Sequence, residues 1–180
     1  GLGDVYKRQQ HIRTIPDFPK KGIMFRDVTT LFNNAEAFAE TINQFHSSWN
    51  EHQIDAIVGI DARGFIIGGA LAYKMGLPFI VVRKKGKLPH ETISEKYDLE
   101  YGKATLEMHK DAIEPGANVL VMDDLIATGG TAAASINLIR TLGGKVVGCG
   151  FIIDLPEIGG VAKLKAMGVE VKSLVEFEGH

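Results

Sequence analysis

The stretch that most constrains this chain is VLVMDDLIATGGT, from Val119 to Thr131. Val119 to Met122 make an apolar run without polar alternation, the pattern of a short strand buried on both faces. The run stops at Asp123 and Asp124, and a turn follows through Ala127, Thr128, Gly129, Gly130 and Thr131. Directly after it, Ala132, Ile136, Ile139 and Leu142 recur at helical spacing, so the turn opens a helix. Free N–H groups at a helix start, two glycines that admit a ligand close to the backbone, and the Thr128 and Thr131 hydroxyls together make a phosphate cradle. Carboxylates at a strand end suit another part of a ligand, because they accept hydrogen bonds from vicinal ribose hydroxyls. The plain alternative is a glycine-containing turn beside two solvated acids. Against it, acids, hydroxyls and glycines all converge on one strand end. Neither GxxxxGKS/T nor a helix-opening GxGxxG stands here, so the common nucleotide fingerprints do not apply.

The flanking sequence sets this unit in an alternating series. Asn34 caps a helix whose Ala35, Phe38, Ile42, Phe45 and Trp49 form one apolar face, a core stripe. Ile54 to Ile60 reads as a buried strand ending at Asp61-Ala62-Arg63-Gly64, and the helix after it closes at Gly76. A third strand, Pro78 to Val82, runs into Arg83-Lys84-Lys85-Gly86-Lys87. From Leu88 to Lys103 no period is sustained, which at this length marks a functional or disordered loop. Ala104, Leu106 and Met108 then alternate as a half-exposed strand. Beyond the motif helix come a strand from Val146 to Ile153, a short helix from Val161 to Met167 and a final strand from Val169 to Val175. The expected fold class is α/β, a mainly parallel twisted sheet flanked by helices with right-handed crossovers.

In the 180-residue chain, 45% of residues are hydrophobic, enough for one core and one domain. A net charge of -2 and a pI near 6.3 give no bulk attraction to nucleic acid or an anionic membrane. A lone cysteine, Cys149 in an apolar strand, cannot build a disulfide framework, which points to a reducing cytoplasm. No apolar run reaches membrane-spanning length, and no secretory signal is recognisable. Residues 1–9 lack periodicity and read as a non-native or disordered leader, a frayed native terminus being the other reading. From His11 to Phe32, prolines exclude a continuous helix while Phe18, Ile23, Met24 and Phe25 are too apolar for a free tail. The segment must pack over something, either as a hood beside a site or as closure of the core.

In a parallel sheet, loops that follow strands emerge at one edge, so Arg63, Arg83, Lys84, Lys87, both acids and the phosphate turn share a crevice. Arg63 offers a planar fork of donors and the cluster 83–87 offers countercharge. Alone, RKKGK reads as a solvated basic face; its place right after a strand favours a ligand. The six histidines are scattered singly, and no HExxH motif, cysteine pair or GxSxG elbow supports a bound metal site or a serine hydrolase.

The two acids and the TGGT loop resemble the 5-phosphoribosyl 1-pyrophosphate (PRPP) motif of the type I phosphoribosyltransferases. PDFPKKGIMFRDVTTLF, VGIDARGF, RKKGKLP and YDLEYGK further resemble the adenine phosphoribosyltransferases, in order and over the chain from about His11. The resemblance implies a single domain over 10–180, with a hood over about 10–33 and a flexible active-site loop over about 83–103. It implies that adenine and PRPP give AMP and pyrophosphate. Asp123 and Asp124 would hold the ribose hydroxyls, Ala127 to Thr131 the 5-phosphate, and Arg63, Arg83, Lys84 and Lys87 the pyrophosphate. Backbone near Met24 and Arg26 would read the adenine edge, with Phe25 and Leu125 on its faces. Glu100 would move the proton beside N7, and Tyr101 would belong to the same closing loop. Mg²⁺ would arrive on PRPP, held by its oxygens and water. The family also implies a homodimer, without nucleic-acid or membrane partners. Transfer to another purine base, or a PRPP-sensing regulator that binds nucleic acid, are the rival functions.

Overall fold

Val119, Leu120, Val121 and Met122 have no solvent exposure because their strand lies inside a seven-stranded sheet. The fold, taken from a computed structural model, is described for residues 13–16, 24–99 and 101–177. The strands are β1 (Arg13–Pro16), β2 (Met24–Asp27), β3 (Ala56–Ile60), β4 (Phe79–Lys84), β5 (Thr92–Asp98), β6 (Lys103–His109), β7 (Asn118–Ile126), β8 (Lys145–Asp154) and β9 (Glu170–Glu176). The helices are α1 (Thr29–Phe32), α2 (Ala35–Trp49), α3 (Arg63–Met75), α4 (Gly130–Thr141) and α5 (Gly160–Ala166). The sheet order is β5-β6-β4-β3-β7-β8-β9; β4, β3, β7, β8 and β9 run parallel, and β5 and β6 pair antiparallel at one edge. This is the α/β architecture that the alternating pattern predicts.

Two apolar layers hold the sheet. On one side α4 packs through Ile136 and Ile139 against Val121 and Phe151. On the other, α2 and α3 set Phe45, Trp49, Ile67 and Leu71 against Leu120 and Met122. Full burial of each such side chain contributes about 1.5–3 kcal/mol. The Asn34 side chain caps α2 as the sequence predicts, its Oδ1 accepting from Ala37 N–H at 2.9 Å. Among the described residues no helix is long and apolar enough to cross a membrane.

Three differences from the sequence pattern matter for the site. The segment expected to be an aperiodic loop contains β5, paired with β6 over seven residues from Thr92 to Asp98. Ile93 and Tyr97 do alternate inward, but Glu95 fills the inward slot between them and hides the period. Next, β6 is covered on both faces around Leu106, Glu107 and Met108 instead of being half-exposed. Glu107 tolerates burial because protein donors meet its carboxylate, as described below. Finally, the expected hood includes an antiparallel ribbon, β1 with β2, outside the main sheet.

Candidate active site

The C-terminal end of β7 begins the site. Asp124 is only 7% exposed, and its backbone N–H donates to Asp123 Oδ1 at 2.8 Å. Arg63, the first residue of α3, places Nε 2.6 Å from Asp124 Oδ2. Gly64 makes this approach possible: a Cβ there would fall 2.9 Å from Met122 O and 3.1 Å from Asp123 Oδ1, so a larger residue would push α3 off the strand. Burial, reinforced by the charge of Asp124, holds the Asp123 carboxyl well above the usual carboxylate range.

The next turn is built for a small anion. Gly129 precedes α4 at φ 82°, a left-handed conformation that favours glycine, and the turn then opens the helix at Gly130. The turn is seated on a second glycine corner, where Gly160 N–H donates to Ala127 O at 3.0 Å. Above it lies a crevice of about 720 Å³, walled by residues 127–131, Leu125, Lys84, Phe151, Lys163 and the hairpin residues Tyr97, Asp98 and Leu99. N–H groups at a helix start, of which that of Gly130 donates to Thr128 Oγ1 at 3.4 Å, together with hydroxyls and two lysines suit a phosphate, and the apolar Leu125 and Phe151 suit a flatter group.

The sequence-predicted residues divide in two. Ala127 to Thr131, Leu125 and Lys84 wall the crevice, while Asp123, Asp124 and Arg63 gather at the adjoining β7–α3 junction. Arg83 turns elsewhere, its Nε 3.0 Å from Asp61 Oδ2 and its guanidinium 5.9 Å from the Phe65 ring centre. Lys87 and Tyr101 are exposed. Met24, Phe25 and Arg26 are backbone positions on β2, facing Pro16, Ile15 and Thr14 across the ribbon. Glu100 and the 1–9 leader lie outside the described residues.

Two wall elements escape sequence reasoning, and a third, expected within the active-site loop, is placed by a strand pairing that the sequence pattern does not show. Lys163 belongs to a seven-residue helix too short to display a period, Phe151 reads as an ordinary core residue, and Tyr97 to Leu99 are brought over the turn only by the β5–β6 hairpin.

A mainly parallel sheet with a strand that ends in two acids and a phosphate-sized turn is the arrangement expected of the type I phosphoribosyltransferases. The phosphoribosyl transferase domain family matches residues 27–170. An adenine phosphoribosyltransferase of Roseobacter denitrificans is 58% identical over 171 residues, covering 95% of this chain and 97% of that one. The crystal structure of adenine phosphoribosyltransferase from Thermoanaerobacter pseudethanolicus superposes with a TM-score of 0.93 at 44% identity, covering 96% of this chain and 99% of the other. The Saccharomyces cerevisiae enzyme, solved with D-2,5-dideoxy-2,5-imino-altritol 1,6-bisphosphate and adenine, gives 0.90 at 36% identity, covering 97% and 99%. The chain therefore belongs to the adenine phosphoribosyltransferase family.

Proposed function

We propose that this protein transfers the 5-phosphoribosyl group of PRPP to adenine, forming AMP and releasing pyrophosphate. The observation that carries this reading is the Ala127–Thr131 turn at the start of α4, with acids before it and the β5–β6 hairpin over it. In the reaction the C1–O bond breaks with its electron pair leaving on pyrophosphate, a C1–N bond forms, and the base gives up a proton. Each change needs a group nearby, and the chain supplies one.

Ala127 to Thr131 hold the 5-phosphate through N–H groups and hydroxyls, with Lys163 and Lys84 on the walls beside them. Asp123 and Asp124 accept from the ribose hydroxyls, and Arg63, paired with Asp124, orients that carboxylate and belongs to the pyrophosphate side. Lys84, Lys87 and Arg83 belong to the pyrophosphate side, with Arg83 engaging after release from Asp61. Leu125 and Phe25 sandwich the base, backbone groups near Met24 and Arg26 read its edge, and Glu100 takes the proton beside N7. Tyr101 and the rest of 83–103 close the site, which keeps water from capturing the electron-poor sugar.

Mg²⁺ supplies countercharge to the pyrophosphate when bound. Such an ion would be held mainly by the oxygens of PRPP and by water, with the strand-end acids left to the ribose hydroxyls. The reading extends to a single domain over 10–180 with a hood over 10–33, a homodimer and a cytoplasmic setting. Turnover of PRPP against a panel of purine bases tests it. Adenine is used with Mg²⁺ present, and 6-oxopurines are poor substrates because their reversed donors and acceptors leave buried groups unpaired. Equal or better turnover of hypoxanthine overturns the assignment.

A further inference from the structure

Glu107 lies at the middle of β6, between Arg83 of β4 and Ser94 of β5 in the strand register, and is only 8% exposed. An ionised carboxylate in such a place is unfavourable unless donors surround it. Three do. Gly86 N–H donates to Oε1 at 2.7 Å, and the Thr92 and Ser94 hydroxyls donate to Oε2 at 2.9 and 3.2 Å.

These donors come from two different segments. Thr92 and Ser94 open the β5 strand, whose far end carries Tyr97, Asp98 and Leu99 to the crevice. Gly86 sits at φ 88° in the basic turn, where Lys87 N–H reaches Lys84 O at 3.3 Å and Lys85 N–H reaches Thr105 O at 3.1 Å. The short, charge-assisted bond to Gly86 is therefore the strongest of the few contacts that fix this turn's orientation. The same donors, the Gly86 amide foremost, hold the Glu107 carboxyl below its usual range, so it is charged at neutral pH.

We propose that Glu107 is a positioning residue that locks the Lys84–Lys87 turn to the β5–β6 hairpin, so that the turn's cations and the hairpin's tip engage PRPP as one unit. This rests on the placement of that turn at the pyrophosphate. A pure folding role would lower thermal stability and the active fraction while leaving both Michaelis constants unchanged. A positioning role raises KM for PRPP selectively.

The test uses full-length Glu107→Met, which fills the volume without an acceptor, Glu107→Ala, Glu107→Gln and Lys84→Ala, each checked by thermal melting. The Met and Ala variants are expected to raise KM for PRPP about tenfold or more, the scale of a lost charge-assisted hydrogen bond, with KM for adenine at saturating PRPP within about twofold. Gln keeps an acceptor for Gly86 and restores most of the loss. Combining Lys84→Ala with Glu107→Met raises KM by less than the product of the two single effects, as for residues acting through one element. If Lys84→Ala raises KM for PRPP but folded Glu107→Met or Glu107→Ala does not, the lock is wrong and the substrate placement stands. If Lys84→Ala leaves KM for PRPP unchanged, the placement of the turn fails and takes the proposal with it. Failure of both Glu107→Met and Glu107→Ala to fold makes Glu107 a folding determinant and also overturns the proposal.

Discussion

The end of β7 and the β5–β6 hairpin each displace a carboxyl from its usual range, in opposite directions. In the hairpin, Glu107 meets three donors from its own chain, and its carboxyl is held below the usual range. At the strand end, Asp123 meets burial and a neighbouring negative charge, which together outweigh the Asp124 N–H and the charge of Arg63, and its carboxyl is held above that range. A carboxylate satisfied by the protein belongs to the scaffold. One left short of donors in the free protein is suited to receive them from a ligand, and vicinal ribose hydroxyls are such donors.

The largest effect that can break this division comes from the turn itself. Gly130 is buried but does not need a left-handed backbone; a Cβ built on it stands 3.4 Å from Tyr97 Cδ2 and 3.6 Å from Asp98 O, in the gap between turn and hairpin. Gly130→Val therefore fills ligand space, and titration calorimetry with PRPP and Mg²⁺ should detect no binding while circular dichroism remains native. Gly129 differs, because its φ of 82° and a Cβ site 3.1 Å from Gly160 O make valine a backbone problem. Gly129→Val should lose thermal stability as well as binding. A folded Gly130→Val that binds PRPP with unchanged affinity would remove the phosphate from this loop.

The next effect sharpens the hairpin's side of the comparison. Glu100→Ala should lower kcat by about 10²- to 10⁴-fold, the usual contribution of general acid–base help, with PRPP affinity within about twofold. Wild-type kcat in this variant makes Glu100 an ordinary loop carboxylate.

The same two regions also differ in how far the sequence reveals them. The strand end was legible because β7 is apolar on both faces and its turn residues each carry a steric or hydrogen-bonding reason. Arg63 was assigned to the site, but its pairing with Asp124 depends on the β3–β7 register and on the absence of a side chain at Gly64, neither of which a local pattern encodes. Of the hairpin, β5 was hidden by a polar residue in an inward place, and the burial of Glu107 on the other face of β6 was hidden as well. Glu95 receives a hydrogen bond from the Asn137 side chain of α4 at 3.4 Å, and Glu107 has the donors described above. A period-based reading assigns both to solvent, because their partners lie far along the chain. The basic cluster shows the same limit within itself: Lys84 reaches the crevice, whereas Arg83, its neighbour on the strand, is paired with Asp61.

The smallest effect tests the sign of the two carboxylates through stability. For Asp123 the folded state binds its proton more tightly than the unfolded chain, so between the ordinary carboxylate pKa and the raised one the native state carries the excess proton. Stability from this group therefore falls as pH rises through that window, and the full penalty is present above it. Asp123→Asn should melt higher than wild type near neutral pH, by roughly 2–4 °C for each kcal/mol relieved, and the two curves should converge in acid. Glu107 has the reverse sign. Its contribution is present above the unfolded pKa and is lost as pH falls through the lowered folded value, so Glu107→Gln should melt below wild type near neutral pH and converge with it in acid. Saturating PRPP with Mg²⁺ should shrink the Asp123→Asn advantage, because hydroxyl donors then favour the wild-type carboxylate, and should leave the sign at Glu107 unchanged. An Asp123→Asn protein that melts below wild type at neutral pH would mean that the carboxylate is already satisfied without ligand, and the contrast between the two regions would lose its physical basis.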